Sequence, residues 1–232
     1  MSMQSEYRSI AQETWDTIAK SFDTTRQKPW AYCLQFIGSL KHTDVVADLG
    51  CGNGRHLLPC ATQCSFVVGV DISSQLLRIT QKKLINKEID TASVVHADIV
   101  QLPFQKNSVT AVLCIASLHN IQGKKNRSAA LREILRVLQP EGCALISVWS
   151  RWQEKYYKYF LKQMFLRTGE FGDIDIFWRH QNLNVPRFYH LYSKHEFRRE
   201  LRDAGFQIQR IESVKIHSKR FPDNYFAVVR KR

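Results

Sequence analysis

The heptapeptide Asp48-Leu49-Gly50-Cys51-Gly52-Asn53-Gly54 constrains this chain most, because it joins the apolar run VVADLG to the start of an amphipathic segment. Glycines at 50, 52 and 54 let the backbone turn sharply and approach a ligand that side chains would block. From Asp44 onward a pattern of strand, turn and helix repeats. VVADLG is followed by a helix from Gly54, FVVGVD by a helix over 73–87, and SVVHAD by a loop. TAVLCIAS, a helix over 124–138 and CALISVW complete the series. Short Val/Ile/Leu/Ala runs alternating with amphipathic helices require right-handed parallel crossovers, with helices on both faces of one sheet.

The flanks do not follow that alternation. Segments 5–22 and 30–40 read as two helices separated by a turn that ends in Pro29, and they form a cap before the sheet. Residues 151–190, rich in Tyr, Phe and Trp, interrupt the pattern, and 194–204 returns to helix. FQIQRIESV and NYFAVVRK end the chain as two strands suited to antiparallel pairing at the sheet edge. The expected organisation is a single domain: a cap over 1–43, a ligand-binding core over 44–150, an insertion over 151–192 and a closing helix and strand pair over 193–232.

The loop spacing is G-x-G-x-G, whereas the dinucleotide fingerprint is G-x-G-x-x-G. Asp48 before it would repel a pyrophosphate and favours a ligand that carries cationic groups. Asp71 ends the second strand, 17 residues after Gly54, where a carboxylate accepts from both hydroxyls of a ribose. Asp98 ends the third strand beside Ala97, placed to accept from an adenine amino group. Leu138-Gln139-Pro140-Glu141-Gly142 makes a tight turn into the fifth strand. In this order, at successive strand ends, these features resemble the class I methyltransferases. The resemblance implies an α/β Rossmann-like fold with a seven-stranded, mostly parallel sheet and an antiparallel edge strand. It also implies S-adenosyl-L-methionine as cofactor, held by Asp48, Gly50, Cys51, Gly52, Asn53, Gly54, Asp71, Ile72, Ala97, Asp98 and Ile115.

Charge separates the halves. Residues 1–150 carry 16 basic and 12 acidic side chains, residues 151–232 carry 18 and 9, and the chain is +13 overall. A basic surplus outside the cofactor half suits a polyanion, although solvated lysines and arginines are the plain alternative. The longest apolar runs are strand-sized, so no membrane span is expected. The N-terminus lacks the layout of a secretory signal, so a cytoplasmic location is expected, with the nucleus also open in a eukaryote. The six cysteines read as buried reduced thiols, and Cys60 and Cys64 have no second pair at zinc-like spacing, so no metal site is expected.

Beyond the core, several segments are similar to one family over nearly the whole chain, the tRNA wobble-uridine carboxymethyl methyltransferases. They are 15–22 with Thr25-Arg26-x-Lys28-Pro29-Trp30, the loop ADLGCGNGRHL, and IASLHN at the end of the fourth strand. ALREILRVLQPEG, Arg187-Phe188-Tyr189-His190-Leu191-Tyr192 and Asp223-Asn224-Tyr225 continue the match. The chain departs from the family pattern at His119-Asn120, where relatives show two histidines, and in a shorter insertion. The NPPY-type tetrapeptide of nucleobase N-methylation is absent. The resemblance implies esterification of 5-carboxymethyluridine at tRNA position 34. A carboxylate with a reference pKa of about 4 needs no general base at neutral pH. Arg26 and Arg187 would orient it by forked hydrogen bonds, and His119 and Tyr189 would hold or stack on the uracil.

Structural roles stand beside these: a hydrogen-bond partner at a strand end for His119, core packing for Tyr189, and phosphate contact or solvation for Arg187. The aromatic and basic stretch from Trp152 to Arg167 reads either as an RNA-facing helix or as an amphipathic helix packed on the sheet. The family also implies a heterodimer with the small zinc-binding methyltransferase activator subunit, with 94–95 and 111–113 as candidate contacts. A small-molecule methyltransferase and a non-catalytic RNA-binding protein on the same fold remain open alternatives.

Overall fold

The computed structural model describes residues 3–166 and 169–232, so Arg167 lies outside the described residues. In chain order the elements are α1 (Met3–Thr25), α2 (Ala31–Gly38), β1 (Val45–Leu49), α3 (Leu57–Gln63), β2 (Phe66–Asp71), α4 (Ser74–Asn86) and β3 (Ala92–His96). β4 (Val109–Ile115), α5 (Lys124–Val137), β5 (Leu138–Trp149), α6 (Tyr157–Leu166) and the pair β6 (Asp173–Trp178) and β7 (Val185–His190) follow. The chain closes with α7 (Lys194–Asp203), β8 (Gln207–Val214) and β9 (Asn224–Arg230). The seven-stranded sheet has the order β3-β2-β1-β4-β5-β9-β8. The first five strands are parallel, and β9 runs antiparallel between β5 and β8.

Strand alternation builds two cores, one on each face. Along β4, Ala111, Leu113 and Ile115 join the apolar cluster under α2 and α3, and Val112 and Cys114 join the cluster under α5 and α7. Reversal of strand order at β1 and β4 opens a crevice beyond the carboxyl ends of those strands, where open α/β sheets take ligands.

Four details differ from the sequence reading. The helix after the glycine loop begins at Leu57, because Gly54 has φ +78° and bonds back to the Cys51 carbonyl. The turn before the fifth strand lies within β5 as a bulge with Glu141 at φ +62°, between the pairs Val109/Leu138 and Ala111/Cys143. Residues 151–192 form α6 and an antiparallel hairpin, β6 with β7, around a small core of Tyr156, Phe160, Ile176, Tyr189 and Leu191. Ala111, Val112 and Leu113 are buried between β1 and β5, which excludes them as partner contacts.

Side-chain bonds fix the cap over the crevice. Asp16 of α1 accepts from Ser73 Oγ (2.6 Å) and Gln75 N (2.9 Å) at the start of α4, and Asp23 pairs with Lys83 at 2.5 Å. Ser21 of α1 accepts from Trp178 Nε1 at 2.8 Å and bonds His180 Nδ1 at 2.9 Å, which holds the hairpin against the cap. The six cysteines are free thiols. No described helix is long and apolar enough to cross a membrane.

Candidate active site

A cleft of about 830 Å³ opens above the carboxyl ends of β1, β2, β3 and β4, walled by α1 and the β6–β7 hairpin. On its sheet side the glycine loop has left-handed backbone at residues 50, 52 and 54. A Cβ at Gly50 would lie 2.1 Å from Ser117 Oγ, and one at Gly54 would lie 2.8 Å from Thr80 Cγ2, so both positions require glycine. A Cβ at Gly52 would meet only Phe22 Cε1, at 3.6 Å, without a clash, and this backbone lines the cleft. Asp71 accepts from Gly52 N and Ser73 N, each at 2.8 Å, which leaves other lone pairs of its carboxylate for a ligand. Asp98 accepts from Val100 N at 3.0 Å and faces Arg8 at 3.9 Å.

Of the residues expected to hold the cofactor, Gly50, Cys51, Gly52, Asn53, Asp71, Ile72, Ala97, Asp98 and Ile115 line the cleft. Asp48 and Gly54 stand behind it. Asp48 is 2% exposed, and its Oδ2 has no partner. Burial first and the nearby Asp71 second push its carboxyl up to about 7, with Arg55 opposing; burial lifts Asp71 to about 6. The Asn53 amide donates to Asp23 Oδ1 (2.8 Å) and the Arg26 carbonyl (3.0 Å), so this side chain ties the cap to the glycine loop.

The opposite wall has the other sign. Arg187 of β7 is 7% exposed and lies over the rings of Trp178 (4.9 Å), Tyr189 (5.0 Å) and Trp15 (5.6 Å). Its Nη1 donates to Tyr189 Oη at 2.6 Å, and its Nε has no partner. Arg26 lies 5.5 Å from the Trp178 ring, and burial and then Arg187 push its pKa below the ordinary arginine range. Neither arginine pairs with a carboxylate among the described residues. Arg55 stacks 4.7 Å over Trp30 at the same cleft.

His119 sits in a 3₁₀ turn after β4, is buried, stacks on Tyr189 (5.3 Å) and meets Trp149 at a tilt (5.4 Å). Its Nδ1 accepts from Trp149 N at 3.0 Å, and burial drives its pKa to about 3. The ring is therefore neutral with its proton on Nε2, which has no partner. All four substrate-side candidates, Arg26, His119, Arg187 and Tyr189, line the one cleft. Sequence reasoning missed Trp15 on α1 and Trp178 on β6, which pack on the arginines, and Trp149 at the end of β5, which packs on His119 and Tyr189. The alternation of Ile174, Ile176 and Trp178 was the available signal for β6.

The residues present fit S-adenosylmethionine. Carboxylates at the ends of β2 and β3 suit ribose hydroxyls and an amine, the buried Asp48 suits a cationic ligand, and the open backbone at Gly52 admits close approach. Residues 47–146 match the methyltransferase domain family. A Methanosarcina mazei S-adenosylmethionine-dependent methyltransferase superposes with a TM-score of 0.73 at 21% identity, over 88% of this chain and 98% of that one. A Haloferax volcanii methyltransferase solved with its Trm112 activator superposes at 0.71 and 17% identity, over 95% and 96%. The fold is that of the class I, S-adenosylmethionine-dependent methyltransferases, and the matched domain lies over the cleft.

Several curated proteins similar to this chain are named tRNA (carboxymethyluridine(34)-5-O)-methyltransferase. The Arabidopsis thaliana protein is 36% identical over 140 residues, 60% of this chain and 32% of that protein. The Schizosaccharomyces pombe protein is 27% identical over 224 residues, 89% of this chain and 92% of that one. The chain spans about a third of the Arabidopsis relative and about a fifth of the Macaca fascicularis relative.

Proposed function

We propose that this chain esterifies the carboxymethyl group of 5-carboxymethyluridine at the wobble position of tRNA. The observation that carries the reading is the pair of arginines, Arg26 and Arg187, held in an aromatic wall without a carboxylate of their own. A buried unpaired cation is costly to maintain, and an anionic ligand removes that cost. The planar guanidinium matches a carboxylate with two parallel hydrogen bonds.

The residues divide the work by charge. Gly52, Asp71 and Asp98 would hold the cofactor, with Asp48 behind them as a buried counter-charge. When bound, S-adenosylmethionine supplies an electrophilic methyl group. The arginines orient the substrate carboxylate, leaving one oxygen free to attack. His119 Nε2–H donates to an acceptor on the base or its side chain, and Tyr189, packed against both His119 and Trp149, fixes that wall. No side chain has to take a proton, because the carboxylate is already ionised at neutral pH. This agrees with a histidine that stays neutral.

A partner completes the reading. Among the described residues β3 pairs only with β2, so its outer edge carries backbone donors and acceptors outside the sheet, and Val94 and Val95 are half-buried on its two faces. We assign this edge to a small activator subunit of the Trm112 kind, added as a further strand. The chain acts as one domain, with 151–192 forming the substrate wall.

The test is methyl transfer from labelled S-adenosylmethionine to tRNA bearing 5-carboxymethyluridine, with and without such a subunit, followed by nucleoside mass analysis. A base-labile methyl ester at position 34 is the expected product. Cofactor binding with no transfer to tRNA under either condition rejects the substrate assignment.

A further inference from the structure

Outside the cleft, the strongest unassigned feature is a basic and aromatic ridge formed by α6 and the β8–β9 loop. On α6 and the turn before it, Tyr156 and Phe160 are buried in the small core of the insertion, while Lys155, Lys158, Tyr159 and Lys162 face solvent. The loop presents Lys215, Lys219, Arg220 and Phe221 to solvent. Glu154 ties the two together: its Oε1 accepts from Phe221 N at 3.3 Å and from Arg220 N. Tyr157 and Phe221 meet with ring centroids 5.9 Å apart. The ridge is continuous with the site, because Tyr159 and His217 line the cleft.

Its charge is uncompensated. Residues 155–164 hold three lysines and 215–221 hold two lysines and an arginine, with no acidic residue in either segment. The flanking acids are turned to backbone N–H groups. Glu154 caps the loop as described, and Asp223 accepts from Ile216 N (2.7 Å), His217 N (2.7 Å) and Ser218 N (3.1 Å). None of the six cations forms an ion pair among the described residues. Tyr159 and Phe221 are 39% and 46% exposed beside them. Interleaved cations and open aromatic faces are what a single-stranded nucleic acid uses, phosphates on the former and unstacked bases on the latter.

We infer that α6 and the β8–β9 loop form the docking surface for the single-stranded anticodon-loop nucleotides flanking the modified one, guiding that nucleotide into the cleft. The inference rests on the tRNA reading above, and the test keeps the two apart. The full chain, K155Q/K158Q/K162Q and K215Q/K219Q/R220Q are titrated with tRNA at several salt concentrations, with S-adenosylhomocysteine affinity measured alongside. Single-strand contacts contribute a salt slope of about 0.7 per phosphate, so each triple variant should flatten the log–log slope by about 2 and weaken binding at least tenfold near 0.1 M salt. S-adenosylhomocysteine affinity should not change, because these side chains lie outside the cofactor cradle. Y159A/F221A should weaken tRNA binding about tenfold without changing the slope, since stacking releases no counterions.

Wild-type affinity and slope in both charge variants would overturn the inference while leaving the tRNA reading standing. Absence of salt-sensitive tRNA binding in the unaltered chain would instead defeat the tRNA reading, and this surface with it. Binding of the unaltered chain to anionic vesicles that the triple variants lose, with tRNA binding intact, would assign the ridge to a membrane surface and also overturn it.

Discussion

Replacing Arg187 with methionine separates function from stability in a way that tests the site. In the folded chain the guanidinium is buried with no counter-ion and is held by three rings and Tyr189 Oη. Desolvated cation–π contacts contribute up to about 2 kcal/mol each and a charged hydrogen bond about 1.5–3 kcal/mol. Against this stands the several kcal/mol needed to bury an unpaired charge. The two nearly cancel, so R187M should move stability by no more than about 2 kcal/mol in either direction, or about 4–8 °C in melting temperature for a chain of this size. Removing one partner of a buried charge pair with the substrate carboxylate costs about 2–5 kcal/mol, or roughly 30- to 5,000-fold in affinity. Esterification discharges the carboxylate, so the arginine attracts the substrate more than the transition state. The loss should therefore fall on KM, with kcat unchanged or slightly raised. The assay is methyl incorporation into carboxymethylated tRNA at varied substrate concentration, with thermal unfolding and S-adenosylhomocysteine binding as controls. A fall in kcat at unchanged KM, or a loss of more than about 4 kcal/mol in stability, would refute the reasoning.

Four further outcomes follow from the same structure. H119A should lower kcat/KM about 10- to 100-fold, and the pH–rate profile of the unaltered chain should show no ionisation assignable to His119 between about pH 5 and 8, because burial holds the ring neutral down to about 3. Asp48 and Asp71 ionise near about 7 and 6, and a cationic ligand needs them charged, so S-adenosylmethionine affinity should rise from about pH 5.5 to 7.5 and then level. S-adenosylhomocysteine, lacking the sulfonium, should rise less; calorimetry showing the reverse slope would reject the role. G50A should abolish cofactor binding measured by calorimetry, since its Cβ would sit 2.1 Å from Ser117 Oγ in a left-handed backbone. R127M should destabilise the fold by about 3–5 kcal/mol in denaturant titration, because fully buried Arg127 pairs with both Glu170 and Glu200 and would leave Glu200 charged and buried.

How much of this was readable in the sequence depends on how local the determinant is. The glycine loop, Asp71 and Asp98 were legible because each sits at the end of a short apolar strand, and the topology of a parallel sheet brings those ends to one edge. Arg187 and Tyr189 were found by family likeness, and the structure shows why they act together: two apart on β7, they project to the same face. The β6–β7 hairpin was not read from the sequence, because its pairing joins short strands inside an aromatic segment and the alternation of Ile174, Ile176 and Trp178 marks only one of them. The rings around Arg187 were hidden for the same reason. Trp15 and Trp178 lie on elements 163 positions apart, and only the docking of the hairpin on α1 through Ser21 brings them to Arg187. The tie that Asn53 makes to the cap was not legible, since its place in the loop says nothing of the Asp23 and Arg26 groups that its amide reaches.

The division of charge within the cleft follows from the same arrangement. Asp48, Asp71 and Asp98 stand on the sheet side, and Arg26 and Arg187 on the side of α1 and the hairpin; Asp48 Oδ2 and Arg187 Nε are each buried without a partner. Had these groups been able to reach one another, the site would have neutralised itself and gained stability at the expense of ligands. They are kept apart because the acids are fixed by strand ends and backbone N–H groups, while the arginines are fixed by rings, which hold a cation in place without discharging it. On the proposed reading, such a cleft takes a cation on one side and an anion on the other. Methyl transfer from a sulfonium to a carboxylate removes both ligand charges at once, so both walls attract their substrates more strongly than the corresponding products. The same residues that give the site its affinity therefore favour release after reaction, and a substrate that is neutral before methylation gains nothing from this wall.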